Sequence, residues 1–218
     1  MIKEKLIQVL KSRLGSRNDD DIDEMLMLEL ELAQTDDLEA NGRATPWFLY
    51  SEAATIGTTI GEERIKLPGD FLREVEEGTL SIYVEELGKF AEIIRDDYDT
   101  LSAKYLYSAP GIPRHYALEG HYFRLFPRPD NIYTIRMRYV QKDVLPSIID
   151  SDKENLWMKW APNLLLAVAA RRYASMHLMN PALATLFAAE ATESWDRLVT
   201  QSTARKNTNR NFVMGGDE

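Results

Sequence analysis

The sequence predicts an α+β protein, in which two N-terminal and two C-terminal helices form an antiparallel bundle beside a small central antiparallel β-domain. Apolar residues recur at three- and four-residue spacing near both ends of the 218-residue chain, as on one face of a helix. In the middle of the chain this spacing shortens towards two, as in half-buried strands. The last residues are polar and rich in Asn and Gly, which predicts a tail that is disordered in isolation. We therefore divide the chain into N-terminal helices at 1–44, a β-rich domain at 45–150, C-terminal helices at 151–200 and an extended tail at 201–218.

Two helices are expected at the N-terminus. The first carries a single apolar stripe and ends near Gly15, where a helix C-cap belongs. The second, at about residues 19–40, has acids in its first turn, where the helix dipole favours negative charge. Its apolar stripe is wider than a helix resting on one neighbour needs, so we expect it to pack on two sides.

Short strands are expected through the first part of the β-rich domain. They are placed near 47–50, 58–60, 64–67 and 79–84, because glycines and a Pro-Gly pair separate these stretches. A short amphipathic helix is expected at 88–95, where three apolar residues fall on one side.

An antiparallel hairpin is predicted over residues 121–140. Side chains alternate at 121–126 and again at 132–139, which places Ile135 on one face and both Arg136 and Arg138 on the other. The break at 127–131 cannot continue a ladder, because its two prolines lack N–H donors while Asp and Asn favour turns. The predicted hairpin therefore has one packed face and one basic face.

Two helices are expected again towards the C-terminus. Ser151 and Glu154 have the spacing of a capping box, in which each side chain satisfies a backbone donor of the other residue. Pro162 predicts a kink and then a main helix to about residue 179. Asn180 and Pro181 supply an N-cap and a first residue for the last helix, whose apolar period is lost after residue 200.

No catalytic, cofactor or metal motif stands out in the sequence. The chain has no cysteine, and its three histidines lie far apart without a second ligand at helical spacing. The carboxylates at 96, 97 and 99 are better interpreted as a solvated helix end than as a calcium loop. The longest apolar run, 164–170, is far shorter than the roughly 20 residues that span a membrane. We therefore expect no enzyme, metal, cofactor or membrane partner, although a carboxylate pair for glycoside cleavage stays open.

The arginines of the predicted hairpin allow three interpretations. Arg124, Arg128, Arg136 and Arg138 could bind nucleic acid, with aromatic residues at 122 and 126 for stacking. They could instead be a solvated face, or the loop at 127–131 could bind another protein with Arg as the anchor. The net charge of −9 favours a protein partner over nucleic acid, because phosphate binding needs basic surface.

Four segments, in order along the chain, resemble the adaptor (head-to-tail connector) proteins of short-tailed bacteriophages, which are related in layout to the tail tubular A proteins. The first is PWFL at 46–49 with the stretch at 51–61 that ends in TTIG. The second, LPGDFLR at 67–73, is similar to the family's LP-x-DFL signature. The third is PRHYAL at 113–118 together with LFPRPD at 125–130, which is similar to the family's LFP-x-PD. The last is the helix pair followed by the polar tail.

The resemblance implies a structural protein of the virion neck that is assembled in the host cytoplasm. It implies a ring of twelve subunits that joins the portal protein to the tail nozzle protein and continues the DNA channel without binding DNA specifically. The portal-facing segment would include Arg205, Lys206, Asn209, Arg210 and Phe212. The contact with the nozzle or a neighbouring subunit would include Arg128, Pro129, Asp130 and Asn131. The alternatives are a nucleic-acid-binding β-module that uses the arginine hairpin and, less favoured, a cell-wall hydrolase.

Overall fold

The computed structural model describes residues 3–15, 20–40, 45–51, 54–75, 78–143 and 154–213. Of residues 3, 20–21, 86 and 206–213 it describes the backbone alone. The chain forms two compact units. The helical unit comprises Met1–Leu49 and Asp143–Glu218, and the β-unit comprises Tyr50–Lys142. The fold is α+β, as the sequence predicts.

Six α-helices and three other helical segments lie in the described residues. In chain order the α-helices are α1 (Lys3–Arg13), α2 (Asp20–Leu32), α3 (Tyr98–Lys104), α4 (Leu156–Trp160), α5 (Pro162–Met176) and α6 (Pro181–Val213). A π-helical segment (Ala33–Glu39) continues α2, and 3₁₀ turns lie at Trp47–Leu49 and Glu85–Leu87.

Helix α5 forms the centre of the helical unit, where it contacts α1, α2, α4 and α6. Its small and branched residues are almost fully buried, for example Leu165 and Ala169. Leu26 and Leu30 of α2 are also fully buried. Burial of these apolar side chains is the main stabilising term for this unit.

The sequence signals at Pro162 and at Asn180 with Pro181 are confirmed. Pro162 is the first residue of α5, and α4 is the short segment before it. The Oδ1 atom of Asn180 accepts a hydrogen bond of 3.1 Å from the Leu183 amide, as an N-cap does. Ser151 of the predicted capping box lies outside the described residues, and Asn155 is the N-cap of α4.

The predicted end of the last helix is wrong, because α6 continues through residues 201–213 where the sequence predicted an extended tail. The apolar period ends near residue 200, but the buried face of the helix is continued by Ser202, which is 6 % exposed. The Ser202 hydroxyl donates to the Leu198 carbonyl at 2.8 Å, so its polar group is satisfied within the helix. A polar residue therefore holds a buried position that an apolar pattern cannot detect.

The β-unit contains ten strands in three small sheets within the described residues. In chain order the strands are β1 (Ala54–Gly57), β2 (Arg64–Lys66), β3 (Phe71–Glu74), β4 (Leu80–Val84), β5 (Lys89–Glu92), β6 (Ile94–Arg95), β7 (His115–Glu119), β8 (Tyr122–Phe126), β9 (Thr134–Met137) and β10 (Tyr139–Gln141). The strand orders are β1-β9-β4-β5, β10-β3 and β2-β8-β7-β6, and β6 with β7 is a parallel pair. One core, which includes Leu80, Phe123, Leu125 and Ile135, draws residues from both four-stranded sheets.

The predicted hairpin at 121–140 is wrong, because β8 and β9 lie in different sheets. Strand β8 pairs with β7 across a tight turn at Gly120, whose φ of 56° suits glycine. Strand β9 pairs with β1 and β4. The predicted faces of β9 are nevertheless confirmed, since Ile135 and Met137 are buried. Alternation determines which side chains face the core, but it does not determine which strand is the partner.

Three other predictions for the β-rich domain that the sequence placed at 45–150 are wrong. Residues 88–95 form β5 and β6 instead of a helix, because Gly88 adopts a left-handed conformation that turns the chain back so that β5 pairs with β4. Residues 47–49 form a 3₁₀ turn instead of a strand, and the strand expected at 58–60 is β1, which ends at Gly57. The interpretation of the carboxylates at 96, 97 and 99 as a solvated helix end is confirmed, because they are exposed at the N-terminal end of α3.

Candidate interaction surfaces

The loop at 128–131 connects two sheets and is fixed by backbone hydrogen bonds. The Gly61 amide donates to the Pro129 carbonyl at 2.8 Å, and the Gly111 amide donates to the Arg128 carbonyl at 2.8 Å. Pro129 is buried, whereas the side chains of Arg128, Asp130 and Asn131 are exposed. The loop therefore presents three polar side chains on a constrained backbone.

Glu63 binds two of the arginines that the sequence singled out. Its Oε1 accepts from Nη1 of Arg124 at 2.9 Å, and its Oε2 accepts from Nε of Arg128 at 3.1 Å. Arg124 also forms an ion pair with Glu119, and its Nη1 donates to the Tyr98 hydroxyl at 2.9 Å. Carboxylates thus neutralise the part of the arginine row that lies on and after β8.

The other predicted nucleic-acid residues do not join these two. Arg136 lies on β9 in the other sheet, with its Cζ 3.7 Å from the centre of the Phe90 ring. Arg138, two residues after Arg136, is exposed. Phe126 is buried and therefore cannot stack on a base. Tyr122 is exposed but carries Arg64 near its ring. The structure does not bring the predicted arginines and aromatic residues into one basic stacking surface.

A cleft of about 450 Å³ lies beside the loop in the β-unit. Its walls include Tyr98, Tyr105 and Phe126, and its charged lining consists of Glu63, Arg124 and Arg128. The hydroxyl of Tyr105, one of these wall residues, lies 2.8 Å from Nδ1 of His115. Burial, together with the nearby Lys104 ammonium, lowers the pKa of His115. The cleft combines an aromatic wall with neutralised charges.

The carboxylates at 96–99 have a structural role in the β-unit. Oδ2 of Asp97 accepts from the amides of Asp99 and Thr100, at 3.0 and 3.3 Å, and so caps α3. In the part of the chain that the structure describes, no group of three or more His, Asp or Glu residues could hold a metal ion.

The portal-facing residues predicted on the C-terminal segment fall at the end of α6. The guanidinium of Arg205 lies against two tryptophans of its own chain, with Cζ 3.8 Å from the ring centre of Trp47 and 5.7 Å from that of Trp160. The side chains of four further predicted residues lie outside the described ones; these are Lys206, Asn209, Arg210 and Phe212. Their backbone continues the helix.

A buried polar network in the helical unit was not predicted. Oε1 of Glu39 accepts from the Trp157 indole at 2.9 Å and from Gln34 at 3.0 Å. The Oε1 of Gln34 accepts in turn from Asn155 at 2.8 Å, and the Asp143 amide donates to Glu39 at 3.2 Å. The network joins the π-helical segment to the start of α4. A tryptophan N–H in an apolar helix needs a partner when buried, and this was the available signal.

A second polar cluster joins α2 and the π-helical segment to α5. Arg172 donates from Nε to Glu29 at 2.8 Å and from Nη1 to Asp37 at 2.9 Å. Burial alone would lower the pKa of Arg172, but the hydrogen bonds with Asp37 and Glu29 outweigh it and raise the pKa. Arg171 also donates to Asp37, and His177 lies 3.0 Å from Glu29. The cluster fixes how α5 packs on the N-terminal helices.

The two units, with the fixed loop at 128–131 and the long helix α6, define an α+β protein. No helix in the described residues is long and apolar enough to cross a membrane. The chain matches the SU10 adaptor protein family over residues 4–213 and therefore belongs to that family. It is a structural adaptor protein of a phage particle. A search of curated proteins found no match.

Proposed function

We propose that this chain forms the adaptor ring that joins the portal to the tail nozzle and continues the DNA channel of the virion neck. The observation that carries the proposal is the family match over residues 4–213, which covers nearly the whole chain. The ordered motifs at 46–61, 67–73 and 113–130 support the same assignment. Following the resemblance, we propose a ring of about twelve copies, assembled in the host cytoplasm.

The portal contact is proposed at the end of α6. This helix has 33 residues and is therefore about 50 Å long, whereas its neighbour α5 has 15 residues and is about 22 Å long. The C-terminal turns of α6 thus extend beyond what α5 alone can cover. Among them, Lys206, Asn209, Arg210 and Phe212 are the residues we assign to the portal contact.

The nozzle or neighbour contact is proposed at the loop 128–131. Because its backbone is fixed by Gly61 and Gly111, ordering this loop on binding costs little conformational entropy. Arg128, whose side chain is 65 % exposed, is the proposed anchor, and Asp130 and Asn131 are the proposed polar partners beside it.

Passage of DNA without specific binding is consistent with the charges of the chain. The net charge is −9, and the arginines on and after β8 are paired with Glu63 and Glu119. A surface with few free cations releases few counterions from DNA, and it should therefore bind DNA weakly. These ion pairs also weigh against the nucleic-acid-binding alternative.

The two contacts are tested with two variants that should fail with different partners. A chain that ends at Arg205 is expected to lose co-migration with the portal ring on a sizing column. A chain with Arg128→Ala and Asp130→Ala is expected to join the portal but to bind the nozzle protein or a neighbouring subunit more weakly. Arg197→Ala, an exposed change on α6, is the matched control and should bind both. If the first two variants still bind both partners as the wild type does, the assigned surfaces are wrong.

A further inference from the structure

Trp47 and Trp160 form a tryptophan pair on the surface of the helical unit. Trp47 belongs to the 3₁₀ turn Trp47–Leu49, and Trp160 is the last residue of α4. Their ring centres are 4.7 Å apart, and the rings cross at 67°. Trp160 is 41 % exposed, so the pair is not closed off as part of the core.

The C-terminal half of α6 contacts this pair through one helix face. Arg205 places its Cζ 3.8 Å from the ring centre of Trp47, which is a close cation–π distance. Ser202, three residues earlier and so on the same face, accepts a hydrogen bond of 3.4 Å from the Trp47 amide. Two residues of α6 therefore hold the 3₁₀ turn.

These contacts begin where the large apolar residues of α6 end. Leu198 is the last buried large apolar side chain among the described residues of this helix. Beyond it, the path of the helix depends on polar contacts such as those of Ser202 and Arg205 with Trp47. A helix end that is held by few contacts frays unless a specific side chain fixes it.

We infer that Arg205 is a positioning residue, which holds the C-terminal turns of α6 against the tryptophan pair and so sets the direction in which the proposed portal segment leaves the helical unit. The consequence for portal binding rests on the proposed function, but the contact itself does not. This assignment differs from the sequence prediction, in which Arg205 touches the portal directly. A guanidinium that covers an indole ring of its own chain has one of its two faces already occupied.

The contact is tested first on the free, full-length protein with Arg205→Ala and Arg205→Lys. In Arg205→Ala we expect a changed tryptophan emission spectrum and about two- to fivefold faster amide exchange across residues 199–213, because the close cation–π contact with Trp47 is lost. Arg205→Lys should be intermediate, since an ammonium keeps the charge without the planar stack. Arg197→Ala, an exposed arginine that pairs with Glu193, is the control and should resemble the wild type.

Portal binding of the same variants then separates positioning from direct contact. We expect Arg205→Ala to bind the portal ring about two- to fivefold more weakly, with partial rescue by Arg205→Lys. Abolished binding with unchanged emission and exchange would mean that Arg205 touches the portal, and it would overturn the inference. Unchanged emission and exchange in Arg205→Ala would overturn it even without a portal. Failure of the wild type to bind the portal would count against the proposed function, while emission and exchange would still decide the role of Arg205.

Discussion

Oε1 of Glu63 lies 2.9 Å from Nη1 of Arg124, whose side chain is only 13 % exposed. The same carboxylate reaches Arg128 through its other oxygen. Glu63 is thus the residue that joins the start of β2 to β8 and to the exposed loop, and it keeps two arginines from acting as free cations.

Glu63→Gln is expected to destabilise the β-unit. Arg124 keeps Glu119 and Tyr98 as partners, so the cost should be about 1–2 kcal/mol, at the lower end for a charged hydrogen bond. Thermal melting should show a decrease of a few degrees in the midpoint. Glu193→Gln, which breaks the exposed pair with Arg197, is the control and should change stability by less than about 0.5 kcal/mol. Equal changes in stability for the two variants would show that the Glu63 ion pairs stabilise the fold no more than an exposed pair does.

Deletion of residues 128–130 is expected to prevent folding of the β-unit, whereas Arg128→Ala should leave it intact. The deletion removes buried Pro129 and the carbonyls that accept from the Gly61 and Gly111 amides. The substitution removes one exposed side chain, for which a change within about 0.5 kcal/mol is usual. Circular dichroism and soluble yield measure both outcomes. A folded deletion variant would show that the loop is dispensable for the fold.

Trp157→Phe is expected to destabilise the helical unit by about 1–3 kcal/mol. The smaller ring leaves a cavity at a fully buried position, and Glu39, which is only 4 % exposed, loses one of its donors. Urea unfolding followed by circular dichroism gives the change in free energy. Trp160→Phe, on the exposed end of the same helix, is the comparison and should cost less. A Trp157→Phe variant as stable as the wild type would contradict the importance of this network.

Tyr139→Phe is expected to make alkaline destabilisation shallower. Burial and a hydrogen bond of 2.8 Å to Asp70 raise the pKa of Tyr139 to about 12, above the unfolded value of about 10. Between these values the unfolded chain releases its proton first, so this stabilisation is complete below pH 10 and is lost as the pH rises through 12. Urea midpoints at pH 9 and pH 11.5 should therefore fall less in the variant than in the wild type. Equal falls would contradict the raised pKa.

Some elements could be predicted from sequence because their signals are local. Asn180 and Pro181 define the start of α6, and alternation defines the buried face of β9. The partners of β9 could not be predicted, because β1 and β4 lie far earlier in the chain and no local signal links them to β9. The end of α6 was missed because Ser202 and Arg205 continue its contacts with polar groups, which an apolar pattern does not record.

The sequence likewise predicts the residues of the candidate surfaces that have a local signal, but not their distant partners. The loop residues Arg128, Asp130 and Asn131 are exposed, but the Glu63 that pairs with Arg128 lies 65 positions earlier and has no local signal. The Glu39 network joins residues more than 100 positions apart. Such contacts follow from the fold, and the spacing of residues in the sequence does not encode them.

The most direct test of the adaptor assignment is the mass of the purified protein, measured alone and after mixing with a portal ring. We expect the mixture to contain a single larger species, in which about twelve copies are added to the portal ring. Lack of any larger species, with this chain remaining separate from an intact portal ring at every ratio, would contradict it.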